Sequence, residues 1–188
     1  MLKLYSDGGS RGNPGAAAIG YVIYDEDDEA IYKKARPIGI ATNNIAEYTA
    51  LLEGLQKILA IDGKSVKAYL DSELVVKQIK GEYKVKNQDL KIVFDKIKLL
   101  VKKLDSFEIN HVRREHNKEA DKILNIALDT MQEYEVDSLN KPTNMINISE
   151  SIKLDVKVDA MKNPFNNTLP KALERKIDAI YDYIRNDK

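Results

Sequence analysis

Leu4-Tyr5-Ser6-Asp7-Gly8-Gly9-Ser10-Arg11-Gly12-Asn13-Pro14-Gly15 is the stretch whose reading decides the fold. Leu2 and Leu4 form an apolar lead-in that carries one carboxylate to the expected end of a strand. The Gly, Ser, Asn and Pro cluster then turns the backbone sharply back, and residues 16 to 24, Ala-Ala-Ala-Ile-Gly-Tyr-Val-Ile-Tyr, read as the returning strand. Asp7 is thereby placed at a sheet end, on a rigid element, facing whatever acids the later chain supplies. Taken alone, an Asp before Gly-Gly is turn chemistry. Only its partners make it more.

Outward from that hairpin, residues 30 to 36 suggest a third strand, reached through the acidic turn of residues 25 to 29, whose like charges suit a solvated tip. Thr42-Asn43-Asn44 offers helix caps, and Ile45, Tyr48, Leu51, Leu52, Leu55, Ile58 and Leu59 share one helical face behind them. Residues 66 to 70 read as a strand ending in Asp71, residues 72 to 81 as a short helix stopped by glycine, and residues 90 to 104 as a longer one. A strand over 107 to 112 and a helix over 117 to about 131 complete the pattern, the latter buried through Ile123, Leu124, Ala127, Leu128 and Met131. This order predicts an α/β fold in which an antiparallel meander is extended by strands reached through helical crossovers, giving a mixed sheet complete by about residue 136.

Beyond it, residues 136 to 151 read as a connector and residues 152 to 159 alternate apolar and charged like a half-buried strand, with 145 to 148 as its hairpin partner. Residues 170 to 185 form an amphipathic helical pattern with Leu169, Leu173, Ile177, Ile180 and Ile184 in register. A unit of under about 50 residues rarely folds alone. This C-terminal strand-helix appendage is therefore expected to pack on the main domain or to mediate self-association.

Composition narrows the class. With 188 residues, 43% hydrophobic and 32% charged, the chain is an ordinary globular sequence. No apolar run approaches the roughly 20 residues of a membrane helix, and no basic segment with an apolar core opens the chain, so a cytoplasmic protein without a membrane partner is expected. The absence of cysteine excludes thiolate metal sites and Cys nucleophiles. Formal net charge is zero, so affinity for a polyanion must come from uneven distribution. Residues 64 to 103 hold eleven lysines against five acids, and within them Lys84 and Lys86, in the stretch 81 to 87, are the candidate phosphate contacts.

Four acids share a type of position. Asp7 and Asp71 lie at strand ends, while Glu47 and Asp121 lie in the first turns of helices. Each alone reads as turn, cap or helix-dipole chemistry. Gathered together they repel unless cations neutralise them, and a hard divalent ion such as Mg²⁺ is the cation that oxygen ligands suit.

Asp7 within Ser-Asp-Gly-Gly-Ser-Arg-Gly-Asn-Pro-Gly, Glu47 within Thr-Asn-Asn-Ile-Ala-Glu-Tyr, Asp71 within Leu-Asp-Ser-Glu-Leu-Val and Asp121 within Arg-Glu-His-Asn-Lys-Glu-Ala-Asp resemble, in order, the four acidic blocks of type 1 ribonuclease H. The resemblance covers residues 1 to about 133. It implies a ribonuclease H-like mixed five-stranded sheet flanked by helices over residues 1–136, with residues 137–188 outside the family pattern. It also implies endonucleolytic hydrolysis of the RNA strand of RNA/DNA hybrids by two Mg²⁺ or Mn²⁺ ions, leaving 5′-phosphate and 3′-hydroxyl ends. By the same resemblance Asp7 bridges both ions, Asp121 joins it on the ion that activates water, and Glu47 and Asp71 hold the ion facing the leaving oxygen. Asn13, Thr42, Asn43 and Asn44 match the family's polar contacts to the hybrid minor groove and sugars. His116 stands roughly where relatives place a His for proton transfer or product release. DNA-directed nucleases share this fold and these acids, and a non-catalytic hybrid-binding module is a further alternative. Thr42-Asn43-Asn44 beside Glu47 favours the hybrid.

Overall fold

The computed structural model describes residues 1–139. The connector beyond, the strand expected over 152 to 159, its partner at 145 to 148 and the helix over 170 to 185 lie outside the described residues. Strands β1 (Leu2–Gly12), β2 (Gly15–Tyr24) and β3 (Ala30–Ala41) form the meander. Helix α1 (Asn43–Ala60) then leads to β4 (Ser65–Leu70). Helices α2 (Glu73–Lys80) and α3 (Gln88–Val101) precede β5 (Ser106–His111), and α4 (Lys118–Thr130) precedes β6 (Tyr134–Asp137). The sheet runs β5-β4-β1-β2-β3-β6, parallel through β1, β4 and β5 and antiparallel elsewhere. Among the described residues no helix is long and apolar enough to cross a membrane.

The expected five strands are joined by a sixth. β6 is only four residues long, and though Tyr134-Glu135-Val136-Asp137 alternates apolar and charged, so short a run after a helix does not announce a strand by itself. Tertiary contacts hold it instead: Lys57 Nζ meets Asp137 at 2.9 Å while sitting 4.0 Å over the Tyr32 ring, and the Tyr32 hydroxyl donates to Glu135. The sheet thus reaches Asp137, one residue past the expected end of the catalytic unit.

A second difference concerns the opening stretch. β1 does not end at Asp7 but continues through Gly12, pairing with β2 as far as Gly15. The glycines at 8 and 9 are strand residues. Their purpose is visible in what they face: a Cβ on Gly8 would lie 2.1 Å from the Ala46 carbonyl carbon and 2.2 Å from the Glu47 nitrogen. α1 therefore crosses β1 in backbone contact. On the opposite face Gly20, the register partner of Asp7, does the same for α4, where a Cβ would meet the Ala120 oxygen at 2.7 Å.

Alternation along β2 feeds two cores. Ala17, Ile19, Tyr21 and Ile23 join Leu4, Leu51, Leu55 and Ile58 under α1, while Ala18 and Val22 join Ile123, Leu124 and Ala127 under α4. Thr42 caps α1, its Oγ1 accepting from the Ile45 N–H at 3.3 Å, and Gly81 ends α2 with a φ of 84°. The buried Tyr48 hydroxyl donates to Gln78 Oε1 at 2.7 Å, and Gln78 Nε2 donates to the Lys84 carbonyl at 3.3 Å. That chain of bonds ties the 82 to 87 connection to the core.

Because backbone rather than side chain stands opposite them, Gly8→Ala and Gly20→Ala are each expected to cost at least about 3 kcal/mol. Urea unfolding of each variant against the native protein measures this, and losses below about 1 kcal/mol would contradict the close crossings.

Candidate active site

Strand pairing sets the first two acids. The parallel β1–β4 register faces Tyr5 with Tyr69, and continuing it by two residues brings Asp7 beside Asp71. Glu47 comes from the second turn of α1, one turn later than expected, and Asp121 from the first turn of α4. The Gly8 and Gly20 crossings bring those two helices in. All four acids line one cleft of about 260 Å³, with Asn43, Arg11 and Arg114 on its walls.

Asp7 is 8% exposed. Burial, and then the charges of Asp71, Asp121 and Glu47, push its carboxyl up to about 8. Burial likewise pushes the Glu47 carboxyl up to about 7. One Glu47 oxygen, Oε1, accepts from Asn43 Nδ2 at 3.0 Å, whereas buried Oε2 has no hydrogen bond of good geometry, although the Ser72 hydroxyl is near enough to the carboxyl to favour its charge and offset part of the burial. An orphaned buried carboxylate oxygen costs free energy, and a cation is the partner that removes the cost.

The donor set, all carboxylate oxygen, fits Mg²⁺ or Mn²⁺. Among the described residues no three His, Asp or Glu side chains are gathered closely enough to cage an ion as they stand. Asp121 is engaged by Arg114, whose Nε and Nη2 lie 3.1 and 2.5 Å from its Oδ1. An ion that keeps water ligands, as Mg²⁺ does, suits such an open set.

The remaining candidates divide. The Asn43 backbone N–H donates to Asn13 Oδ1 at 3.2 Å, which joins the β1–β2 hairpin tip to the start of α1. Thr42 is spent on capping, Asn43 lines the cleft and Asn44 is half-buried beside it. Lys84 and Lys86 are exposed on the 82 to 87 connection and line no part of the acid cleft. His116 is not among the acids either. It ends a single 3₁₀ turn, approaches Glu115 at 3.7 Å and borders a separate hollow with Tyr5, Tyr24 and Glu119. The side chain of that turn which does face the acids is Arg114, which sequence reasoning passed over. Its signal was faint: one of two adjacent arginines shortly before the last acid.

Comparison with known proteins agrees with this geometry. The profile of a family described as reverse transcriptase-like matches residues 5–127. Ribonuclease HI of Halobacterium salinarum is 38% identical over 128 residues, covering 68% of this chain and 64% of the relative. A bifunctional protein of Mycobacterium tuberculosis is 37% identical over 129 residues, 68% of this chain and 35% of its own length. The chain thus spans about a third of the mycobacterial relatives and under two thirds of the halobacterial one. Among solved structures, RNase H1 from Halobacterium salinarum superposes with a TM-score of 0.67 at 37% identity, over 69% of this chain and 98% of that one. LC11-RNase H1, solved in complex with an RNA/DNA hybrid, gives 0.66 at 38% identity, over 69% and 98%.

The raised carboxyls make stability depend on pH. From starting values of 3.8 and 4.5, Asp7 and Glu47 hold protons in the folded chain that the unfolded chain releases. Stability is therefore full below the unfolded values and is lost as pH rises from about 4 to about 8. In chelator, Asp7→Asn is expected to stabilise the protein by about 2–4 kcal/mol at pH 8.5 and by almost nothing at pH 4. Calorimetric melting of both proteins across that range reads the difference, and equal melting at pH 8.5 would contradict the buried charge.

Proposed function

The chain belongs to the reverse transcriptase-like family and, within it, to type 1 ribonuclease H; from that premise we propose that it is a metal-dependent endonuclease that hydrolyses the RNA strand of RNA/DNA hybrids. The observation that carries the reading is the meeting of Asp7, Glu47, Asp71 and Asp121 in one cleft, with a buried carboxylate oxygen of Glu47 lacking a partner. The relative named Ribonuclease HI and the hybrid-bound LC11-RNase H1 support the choice of substrate.

Two Mg²⁺ or Mn²⁺ ions, when bound, supply an activated water and charge stabilisation at the phosphodiester, which leaves 5′-phosphate and 3′-hydroxyl ends. The residues that would hold them are Asp7, central in the cleft, with Asp71, Asp121 and Glu47 around it. Asn43 orients Glu47 by donating to Oε1, so that Oε2 is the oxygen that would be left to ligate an ion. Arg114 offers a positive charge to the phosphate that enters the cleft. Asn13, Thr42, Asn43 and Asn44, at the joined hairpin tip and helix start, present polar groups suited to sugars and a 2′-hydroxyl. Lys84 and Lys86 extend the contact to backbone phosphate, which makes binding weaken as salt rises. A role for His116 in proton transfer or product release requires the 114 to 116 turn to move, because its side chain borders another hollow. We assign the residues beyond β6 to an appendage that packs on the catalytic domain or mediates self-association, and a cytoplasmic setting suits the cysteine-free sequence.

Cleavage of an end-labelled hybrid in Mg²⁺, Mn²⁺ or chelator tests the proposal. Cutting of the RNA strand alone is expected with either metal, none in chelator, and a loss of roughly three orders of magnitude or more in Asp7→Asn. Cleavage of duplex DNA in preference to hybrid would move the reading to a DNA-directed nuclease, and binding of hybrid without cleavage would move it to a non-catalytic module.

A further inference from the structure

Asn117 starts α4 and is 1% exposed. An Asn at a helix start ordinarily turns its side-chain oxygen back to a backbone N–H two or three residues on. The Asn117 side chain makes no such bond. It reaches across the fold instead. Its Nδ2 donates to the Ser6 carbonyl at 3.0 Å and lies 3.4 Å from Asp71 Oδ1, while its backbone carbonyl accepts from the Asp121 N–H at 3.1 Å. One residue therefore touches the peptide group just before Asp7, the carboxylate of Asp71 and the turn that carries Asp121.

The orientation of this carboxamide is dictated by its neighbours. A carbonyl and a carboxylate both require a donor, so turning the group over would set oxygen against oxygen twice. The price is Oδ1, left buried without a partner. A Ser or Asp in this place would cap the helix and leave no such orphan, so helix initiation alone does not account for the arrangement. Asn117 also does not line the acid cleft, so direct contact with substrate does not account for it either.

We propose that Asn117 is a positioning residue for the metal-dependent reaction. Its amide holds Asp71 and the β1 backbone next to Asp7 at a set distance from Asp121, so that acids from three chain segments present their oxygens to the ions together. The inference rests on the functional reading above. Hydrogen-bond partners behind metal ligands typically alter metal affinity by about 10–100-fold.

The test compares the native protein with Asn117→Ser, which keeps a helix-capping side chain but is too short to span to Ser6 and Asp71. Mn²⁺ binding is followed by electron paramagnetic resonance and hybrid cleavage by steady-state kinetics, with circular dichroism confirming the fold. The expected result is a Mn²⁺ affinity lowered about tenfold or more, with kcat reduced and the hybrid KM unchanged within about twofold. Mn²⁺ affinity and kcat equal to the native values, even with a lowered melting temperature, would reduce Asn117 to a structural part and overturn the proposal. Should the variant not fold, the native protein still decides: the Asn117 side-chain amide resonances are expected to shift when Mg²⁺ is added, and unmoved resonances overturn it. Native protein that neither binds Mn²⁺ nor cuts hybrid removes the functional reading and this inference with it, whereas native binding with an indifferent variant removes the inference alone.

Discussion

The dominant constraint on this molecule is the cost of placing Asp7 out of water beside three other carboxylates. Desolvation disfavours its charge, and Asp71, Asp121 and Glu47 add to the penalty. A fold that gathers such groups is working against its own stability at neutral pH unless something positive joins them. Among the described residues only partial answers exist. Arg114 neutralises Asp121 and Asn43 satisfies one oxygen of Glu47, but Asp7 is left protonated or strained and Glu47 Oε2 is left alone. The architecture around the cleft can be understood as the scaffold needed to hold this unfavourable cluster together.

That scaffold works by removing side chains where helices must approach. Gly8 and Gly20 sit one residue from Asp7 and directly across from it, on opposite faces of the sheet, and each admits a helix to backbone contact. Larger residues at either place would push α1 or α4 outward and carry Glu47 or Asp121 with it. The apolar cores under α1 and α4 then supply the burial that keeps the helices down. Packing energy gained far from the cleft is thus what holds like charges near one another inside it.

Much of this was legible in the sequence, and the division is physical. The helical face of Leu51, Leu55 and Ile58, the cap at Thr42 and the stop at Gly81 are local signals, written in periodicity and turn chemistry, and the structure has them. The side-by-side placement of Asp7 and Asp71 followed from two strands expected to run parallel. What failed to show were features whose reasons lie elsewhere in the chain. Gly8 and Gly9 look like a turn because glycine in isolation favours one, yet here Gly8 answers to the backbone of α1 and Gly9 faces Leu124 and Leu128 of α4. β6 alternates for only four residues, too few to stand out, and it is Lys57 and Tyr32 that hold it in place. Asn117 and Arg114 are ordinary polar residues until the fold brings Ser6, Asp71 and Asp121 to them.

The four acids stand at positions 7, 47, 71 and 121, each on a different element. Nearly the whole sheet-and-helix unit separates the first from the last. The sheet cannot bring Asp71 to Asp7 until α1 has crossed over, nor can Asp121 join until α4 has docked against Gly20. A chain broken anywhere between residues 7 and 121 therefore parts the cluster, and neither piece carries all four carboxylates. The cleft exists only as a property of the whole unit, and partial unfolding that frees either helix dissolves it at once.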